Sequence, residues 1–243
     1  MHSILLLGLL VQSPGADSGY LYRTLLLRAA PGQLLAVIDL LKSRLGVSDA
    51  SGDGRPFILR HSQGDQWDLM VIYPMGSFVS FYSPERIGRR RRAAEQSGTT
   101  EDAFEAQLGR LVAWHEEVFV AGPPIDEVRR IMDGGAFYHI EMFIALPGRL
   151  ADLRRERDME NAFETAFNRP QDLVFTRVAG AAWDLFSIGV YRDIKHFAES
   201  ADIPQQRQDS AAKAAGFTSA DAIGPYLRGL IGSHHDTLAR AVR

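Results

Sequence analysis

Apolar and polar positions follow the same order twice along the chain. The runs YLYRTLLLRA (20–29) and FYHIEMFIAL (137–146) are rich in aliphatic and aromatic residues, as β-strands are. Pro-Gly follows each run, and there a strand cannot easily continue but a helix can begin. We predict a helix in each of the next segments, QLLAVIDLLKSRL (33–45) and RLADLRRERDMENAFETAF (149–167).

Each predicted helix is followed by two more strands joined by a short turn that contains glycine. The strands are PFILRHS and QWDLMVIY around residues 63–65, then DLVFTRV and AWDLFSIGVY around residues 179–181. Gly in a short connection between β-rich runs is typical of a hairpin. The repeated tripeptide Trp-Asp-Leu thus opens the second strand of each hairpin. We predict that its Trp fills the core and that its Asp ties the hairpin through backbone N–H groups.

An amphipathic segment ends each copy of the pattern. EDAFEAQLGRLVAWH (101–115) aligns with ADAIGPYLRGLIGSH (220–234), and in both the apolar residues share one helical stripe with a final His. We therefore predict a helix over both segments. VFVAG (118–122) could add a last strand to the first copy, and TLARAV (237–242) is the weaker counterpart in the second.

Constant offsets between matching positions indicate a tandem duplication. The two Trp-Asp-Leu copies, and Pro31-Gly32 with Pro147-Gly148, are 116 residues apart, while the amphipathic segments are 119 apart. We predict two ferredoxin-like units, 20–122 and 135–243, with a connecting helix or linker at 123–134.

Strand–helix–strand–strand–helix is most of a βαββαβ unit, the ferredoxin-like arrangement. With this element order in duplicate, the chain resembles the dimeric α+β barrel superfamily and looks like its single-chain NIPSNAP-type and chlorite-dismutase-like members. The resemblance covers most of residues 20–243. It implies an α+β fold with two sheets packed face to face and the helices outside. The superfamily includes haem enzymes, small monooxygenases and ligand-binding proteins, so a shared fold leaves the function open.

The composition excludes several classes of site. The chain has 243 residues, a net charge of −3 and no cysteine, which excludes disulfides and thiolate metal sites. The run ERIGRRRR (85–92) has no interleaved aromatic residues, and it predicts a solvated helix face rather than a nucleic-acid surface. We therefore expect no nucleic-acid partner.

The N-terminal run ILLLGLLV (4–11) is short and apolar and is followed by small residues. It resembles a secretory signal peptide, although no Lys or Arg precedes it. We predict a signal peptide over 1–16 and a periplasmic or secreted protein. The alternative is a buried first strand or helix in a cytoplasmic protein. No other run is long and apolar enough to span a membrane.

His139 and Glu141 are the candidate catalytic pair. Strand alternation puts both on one face, and the fully apolar opposite face is the natural one to meet the helices. We therefore predict that this pair points into the barrel, where it could act as an acid–base pair or bind a metal. The first unit has Arg23 and Leu25 at the equivalent positions, so only the second unit has the pair. A solvated pair at a sheet edge is the alternative.

His115 and His234, on the predicted final helices, are the candidate cofactor-binding residues, with haem as the possible cofactor. The alternative is that both are structural histidines that bond backbone carbonyls. His235 and Asp236 are next to His234, but adjacent helix positions do not face each other, so no metal site is predicted.

The sequence is compatible with three functions. The first is the binding of a small, largely apolar ligand between the two sheets or beneath the helices. The second is an oxidoreductase of the monooxygenase or haem type that works through His139–Glu141 or His234. The third is an assembly module that associates through exposed sheet edges, and a homo-oligomer is a possible state.

Overall fold

The computed structural model describes residues 19–242. The segment expected to be a signal peptide, 1–16, lies outside the described residues. No helix within 19–242 combines the length and the apolar character needed to cross a bilayer.

The elements follow the predicted order, and each unit ends in a strand. The strands are β1 (Tyr20–Ala29), β2 (Phe57–Gln63), β3 (Leu69–Gly76), β4 (Val112–Gly122), β5 (Phe137–Ala145), β6 (Leu173–Gly180), β7 (Leu185–Tyr191) and β8 (Ile231–Ala241). The helices are α1 (Leu34–Ser43), α2 (Leu45–Ser51), α3 (Phe78–Phe81), α4 (Pro84–Gln96), α5 (Glu101–Leu111), α6 (Ile125–Met132), α7 (Leu150–Thr165), α8 (Ile194–Ala198), α9 (Gln205–Ala215) and α10 (Ile223–Arg228). Short 3-10 turns lie at Glu199–Asp202 and Ala220–Ala222.

The eight strands close into one antiparallel barrel. Going around it, the order is β1-β3-β2-β8-β5-β7-β6-β4. Each unit contributes a sheet in the ferredoxin-like order, β4-β1-β3-β2 and β8-β5-β7-β6, and the units join where β2 meets β8 and β4 meets β6. The α+β class and the tandem ferredoxin-like organisation are thus confirmed.

Side chains fill the interior of the barrel. Every strand contributes buried residues to one cluster, which includes Tyr22, Leu59, Met70, Val120, Ile140, Phe175, Phe186 and Ala239. Two further clusters lie outside the barrel, one beneath α1 and α5 and one beneath α7 and α10. A ligand held between the sheets would have to displace this packed core, whereas the layer between sheet and helices has room for one.

The last helix of each unit is shorter than predicted. α5 ends at Leu111 and α10 ends at Arg228, so His115 lies on β4 and His234 on β8. The prediction that these histidines are on helices was wrong. Each segment forms backbone hydrogen bonds with the first strand of its unit instead of continuing the helix. His115 pairs with Leu27 of β1, and His234 pairs with Phe143 of β5. The apolar positions near these histidines fit both the 3.6-residue period of a helix and the two-residue period of a strand, because the segment is only a few residues long.

The Trp-Asp-Leu corner is the same in both units. Trp67 and Trp183 are buried in the barrel interior, as predicted. Asp68 Oδ2 accepts the backbone N–H of Ala29 at 2.8 Å, and Asp184 Oδ2 accepts that of Ala145 at 3.0 Å. The Asp side chain therefore ties the hairpin to the end of the neighbouring first strand rather than closing its own turn.

Barrel closure removes the sheet edges. Within residues 19–242 each of the eight strands is paired on both sides. An assembly module that works through exposed sheet edges is therefore contradicted, because a closed barrel has no free edge to add a strand.

Candidate functional sites beneath the helices

His139 and Glu141 do not point into the barrel. Their neighbours Tyr138, Ile140 and Met142 fill the barrel interior. The pair therefore lies on the outer face, beneath the helices, and the predicted direction was wrong. The apolar face of the strand is buried against the opposite sheet, because the barrel interior excludes water more completely than the helix layer does.

Asp236 links the two candidate histidines of the second unit. It lies on β8 directly across from Glu141 of β5. Its Oδ1 is 3.1 Å from Nε2 of His139, and its Oδ2 is 3.1 Å from Nε2 of His234. Strand pairing thus joins His139, Glu141 and His234 into one cluster through Asp236, which the prediction of a helix had excluded as a partner.

The hydrogen bonds of His234 fix its tautomer. Arg228 can only donate, so Nδ1 of His234, 3.1 Å from Arg228 Nη1, is an acceptor. Nε2 then carries the proton and donates it to Asp236. Both ring nitrogens of His234 therefore have protein partners, and its role as a haem ligand stays a prediction.

His115 lies apart from this cluster. It is exposed on β4, in the first unit, and it faces Leu27 of β1 where His234 faces Phe143 of β5. The two histidines are equivalent by duplication, but they do not form one site.

Arg157 of α7 neutralises a group of carboxylates beside His139. The side chain is 2% exposed and contacts Glu156 at 2.6 Å, Glu160 at 2.5 Å and Glu141 at 3.1 Å. Ser187 of β7 also lies 3.4 Å from Glu141 Oε2. At the equivalent positions of the first unit, 116 residues earlier, Glu141, Glu156 and Arg157 are all Leu.

Neighbouring charges shift the protonation of this cluster. Burial lowers the pKa of His139, but the hydrogen bond to Asp236 and the charge of Glu141 outweigh burial and raise it overall. The same hydrogen bond lowers the pKa of Asp236. Burial, assisted by the charge of Glu141, raises the pKa of Asp172 to about 6. His139 and Asp236 therefore favour the ion pair near neutral pH, while Asp172 can exchange a proton there.

Aromatic residues from β7 and α8 cover His139. The ring of Phe197 lies 5.2 Å from that of His139 and 5.2 Å from that of Tyr191. Arg169 Nη2 is 3.4 Å from the carbonyl of Phe197, which holds this segment against the barrel. His139 keeps 20% of its side-chain surface exposed, so the cluster is covered but not sealed.

The first unit has a cavity of about 600 Å³ between its sheet and helices. Its walls come from β1, β3, α2, α4 and α5. Its apolar lining includes Leu25, Val47, Tyr73, Phe81, Phe104 and Leu108. The charged lining consists of four arginines, Arg23, Arg44, Arg90 and Arg91, and six carboxylates, Asp53, Glu95, Glu101, Asp102, Glu105 and Glu117. Arg23 is paired with Glu117 at 2.6 Å, Arg90 approaches Asp53 at 3.5 Å, and Arg44 contacts Glu101. Nη1 of Arg44 is buried and has no hydrogen-bond partner.

A wider recess of about 930 Å³ opens at one end of the barrel, near Arg129, Met132 and Tyr138. None of the side chains that line it has a buried polar atom without a partner. The smaller cavity therefore carries the clearer indication of a ligand.

The arginine-rich run of α4 has an internal role. Arg86 donates to the Asp53 carboxylate at 2.6 Å and to the carbonyl of Met75 at 2.6 Å. Arg89 donates to the carbonyl of Ser51 at 3.1 Å. The side chains of these residues fasten α4 to the loop before β2 and to the end of β3, and so form one wall of the cavity.

Comparison with known proteins agrees with the fold. No protein-family model matches the chain, and no curated protein matches it. A solved structure described as an anthrone oxidase-like protein superposes with a TM-score of 0.57 at 13% identity, over 94% of this chain and 93% of the other. A protein of Lactobacillus acidophilus, provisionally described as a monooxygenase, gives 0.52 at 8% identity, over 92% and 94%. A similar protein of Fusobacterium nucleatum gives 0.51 at 11% identity, over 93% and 94%. The chain therefore has the dimeric α+β barrel fold, with both ferredoxin-like units in one polypeptide.

Proposed function

We propose that the chain binds a small molecule that has an apolar body and an anionic group, in the cavity beneath the helices of the first unit. The observation that carries this proposal is the guanidinium of Arg44, a residue of the cavity lining whose buried Nη1 has no hydrogen-bond partner within the described chain. An unsatisfied buried guanidinium N–H is costly, and a carboxylate, sulfonate or phosphate oxygen would satisfy it.

The size and lining of the cavity agree with this ligand class. A volume of about 600 Å³ is within the range of small-molecule sites. Phe104 forms part of the wall, and the guanidinium of Arg44 lies 4.8 Å from its ring centroid. The charged group of the ligand would lie against Arg44, and its apolar body against Leu25 and Leu108.

The test is a titration with 8-anilino-1-naphthalenesulfonate, an aromatic anion whose fluorescence rises in apolar surroundings. We expect saturable binding of one molecule per folded chain. Arg44→Leu should weaken it roughly tenfold to a hundredfold, since a charge-assisted hydrogen bond contributes about 1.5–3 kcal/mol. Leu108→Phe, which fills the cavity without removing charge, should weaken it as well.

Arg149→Leu is the matched control, because Arg149 forms an exposed ion pair with Asp152 in the second unit. Its affinity for the probe should equal that of the unmodified chain. The proposal would be contradicted if Arg44→Leu, Leu108→Phe and Arg149→Leu were all folded by circular dichroism and bound the probe with equal affinity.

A second candidate is an oxidoreductase centred on the second unit. It is favoured by the His139–Asp236 pair, in which the carboxylate orients an imidazole that is partly open to solvent. At a pH above the raised pKa of His139, where its imidazole is neutral, such a pair can remove a proton from an acidic C–H or O–H group, the step that prepares an electron-rich aromatic molecule for reaction with O2. The description of one structural neighbour as anthrone oxidase-like supports anthrone as a first substrate to try.

Oxygen uptake with anthrone tests the second candidate. One anthrone and one O2 would give one anthraquinone and one water. We expect a rate above the uncatalysed background that falls about a hundredfold in His139→Gln, the range for loss of a general base. His235→Gln, which changes the neighbouring histidine paired with Asp65, should keep the full rate. Equal rates in both variants would rule out His139 as the base for this substrate.

A further inference from the structure

The strongest unexplained cluster is in the second unit, where one imidazole and two carboxylates converge. His139 and Glu141 project from β5 and Asp236 from β8, all on the outer face of the sheet. One ligand atom from each of the three lies within 4.8 Å of the others. From these contacts we propose that His139, Glu141 and Asp236 bind a divalent first-row transition metal ion.

The distances suit a shared ion. Two ligands bound at about 2.1 Å and at right angles are about 3.0 Å apart. His139 Nε2 and Asp236 Oδ1 are 3.1 Å apart, so an ion can replace the proton between them with little movement of either side chain. Glu141 is the third ligand, with a carboxylate oxygen within 4.8 Å of the other two ligand atoms.

Outer hydrogen bonds already orient both carboxylates. Asp236 Oδ2 accepts from His234, whose other nitrogen is held by Arg228. All the hydrogen bonds that Glu141 accepts within the described chain end on Oε2, from Arg157 and Ser187, which leaves Oε1 for an ion. Protein metal sites typically have second contacts of this kind, which fix the direction of the ligand atoms.

The charge at the site also favours a cation. Glu141 lies close to Asp236 and, through Arg157, to Glu156 and Glu160; Arg157 is the permanent cation bonded to three of these four carboxylates. Partly buried negative charge in excess requires protons or a metal ion for compensation. A bound divalent ion would supply that compensation directly.

At the equivalent positions the first unit has an ion pair instead of a set of possible metal ligands. Arg23 and Glu117 lie where the second unit has His139 and Asp236, 116 and 119 residues later, and they form a direct ion pair. The fixed charge of the guanidinium takes the position of the cation. In the second unit this position is occupied by an imidazole, which is shorter than a guanidinium and can be neutral. The second unit also has the carboxylate of Glu141 in place of Leu25. These two changes replace an ion pair with a set of possible metal ligands.

One imidazole and two carboxylates suit Zn²⁺, Mn²⁺, Fe²⁺ or Co²⁺ rather than a soft monovalent ion. Three protein ligands leave positions for water or another small ligand, as catalytic rather than structural metal sites do. The inference is independent of the ligand proposed for the first unit, so either can fail without the other. It is an alternative to the second candidate function, because a His139 that binds a metal through Nε2 is not the free base of that reaction.

Metal binding is tested by titrating the full chain with Co²⁺, followed by its visible absorption, and with Zn²⁺, followed by calorimetry. We expect one ion per chain. His139→Gln and Asp236→Asn should each weaken binding at least tenfold, and His139→Arg combined with Glu141→Leu, which copies the first unit, should abolish it. His235→Gln is the control, because His235 is adjacent in sequence but contacts Asp65, and it should bind as the unmodified chain does.

Two results would overturn the proposal. The first is the absence of saturable binding to the folded, unmodified chain up to millimolar metal. The second is binding that survives in folded His139→Gln and Asp236→Asn. Thermal unfolding of each variant without metal shows whether it is folded, and a folded His139→Arg/Glu141→Leu variant that still binds one ion would be equally decisive.

Discussion

Replacing Arg157 with Leu is expected to lower the free energy of unfolding by about 3–5 kcal/mol, the usual cost of leaving buried charges without their partner. Arg157 is 2% exposed and contacts three carboxylates, one of which, Glu156, is fully buried. The loss should be measured by urea denaturation at pH 7.5. Arg149→Leu, which removes an exposed pair with Asp152, should change stability by less than about 1 kcal/mol.

The pH dependence separates lost charge from lost packing. Burial already raises the pKa of Glu156 in the folded chain, and loss of Arg157, whose hydrogen bond and charge lower this pKa, should raise it further above the unfolded value of about 4.3. A carboxyl group with a raised folded pKa destabilises the fold above that pKa. As the pH falls through the raised pKa, the folded chain takes up protons before the unfolded chain does. The loss of stability caused by Arg157→Leu should therefore be smaller at pH 5 than at pH 7.5. A deficit that is unchanged between pH 7.5 and pH 5 would show that packing is its cause.

Apolar replacement of Arg157 together with Glu141 and Glu156, which leaves only the partly exposed Glu160 of the group, should be far milder. The first unit has Leu25, Leu40 and Leu41 where the second has Glu141, Glu156 and Arg157. The triple variant with Leu at all three second-unit positions should therefore be close to the unmodified chain in stability, because a buried ion cluster replaced by packed apolar residues often costs nothing. A triple variant as unstable as Arg157→Leu would mean that the two units do not pack equivalently.

The second large effect is expected at Gly64, in the turn between β2 and β3. Its φ is +124°, and a Cβ there would lie 2.1 Å from the carbonyl oxygen of Asp236 and 2.7 Å from Cα of Thr237. Gly64→Ala combines an unfavourable backbone conformation with displacement of β8, and we expect a loss of about 2–4 kcal/mol. Chemical denaturation measures it.

Two other glycines serve as controls for Gly64. Gly180 is its duplicate, with φ +91° and a built Cβ 2.4 Å from the carbonyl oxygen of Glu117. Gly180→Ala should cost a similar amount, but only Gly64→Ala should move Asp236 and weaken metal binding. Gly32 also has a positive φ, +77°, but nothing lies within 4 Å of its built Cβ. Gly32→Ala should therefore cost only about 1 kcal/mol, and an equal loss at Gly32 and Gly64 would contradict a role for the close approach to β8.

The sequence predicts the architecture well because the duplication makes each pattern visible twice. The offset of 116 residues relates Pro31-Gly32 to Pro147-Gly148 and Trp67 to Trp183, and all of these lie in matching structural positions. The ends of the last helices could not be placed, because the stripe that reaches His115 and His234 is compatible with both a helix and a strand over four residues. Pairing with β1 and β5 decides between them, and pairing is a tertiary effect.

The candidate sites are harder to predict than the fold. His139 and Glu141 stand out in the sequence, but their direction depends on which apolar face goes inward, and a barrel closed on itself reverses the simplest expectation. Asp236 joins the site only because β8 pairs with β5, which places it opposite Glu141, a residue 95 positions earlier in the chain. One signal was present in the sequence: the change from Leu25, Leu40 and Leu41 to charged residues in the second unit marks a core that has become polar.

The two units have thus diverged around equivalent surfaces, with an open cavity in the first and a polar cluster in the second. A crystal structure of the chain with 8-anilino-1-naphthalenesulfonate tests this account most directly. It should show one probe molecule between the sheet and α5 of the first unit, with its sulfonate hydrogen-bonded to Nη1 of Arg44. A probe found instead in the recess near Arg129 and Tyr138, or beneath α7 beside His139, would contradict the assignment of ligand binding to the first unit.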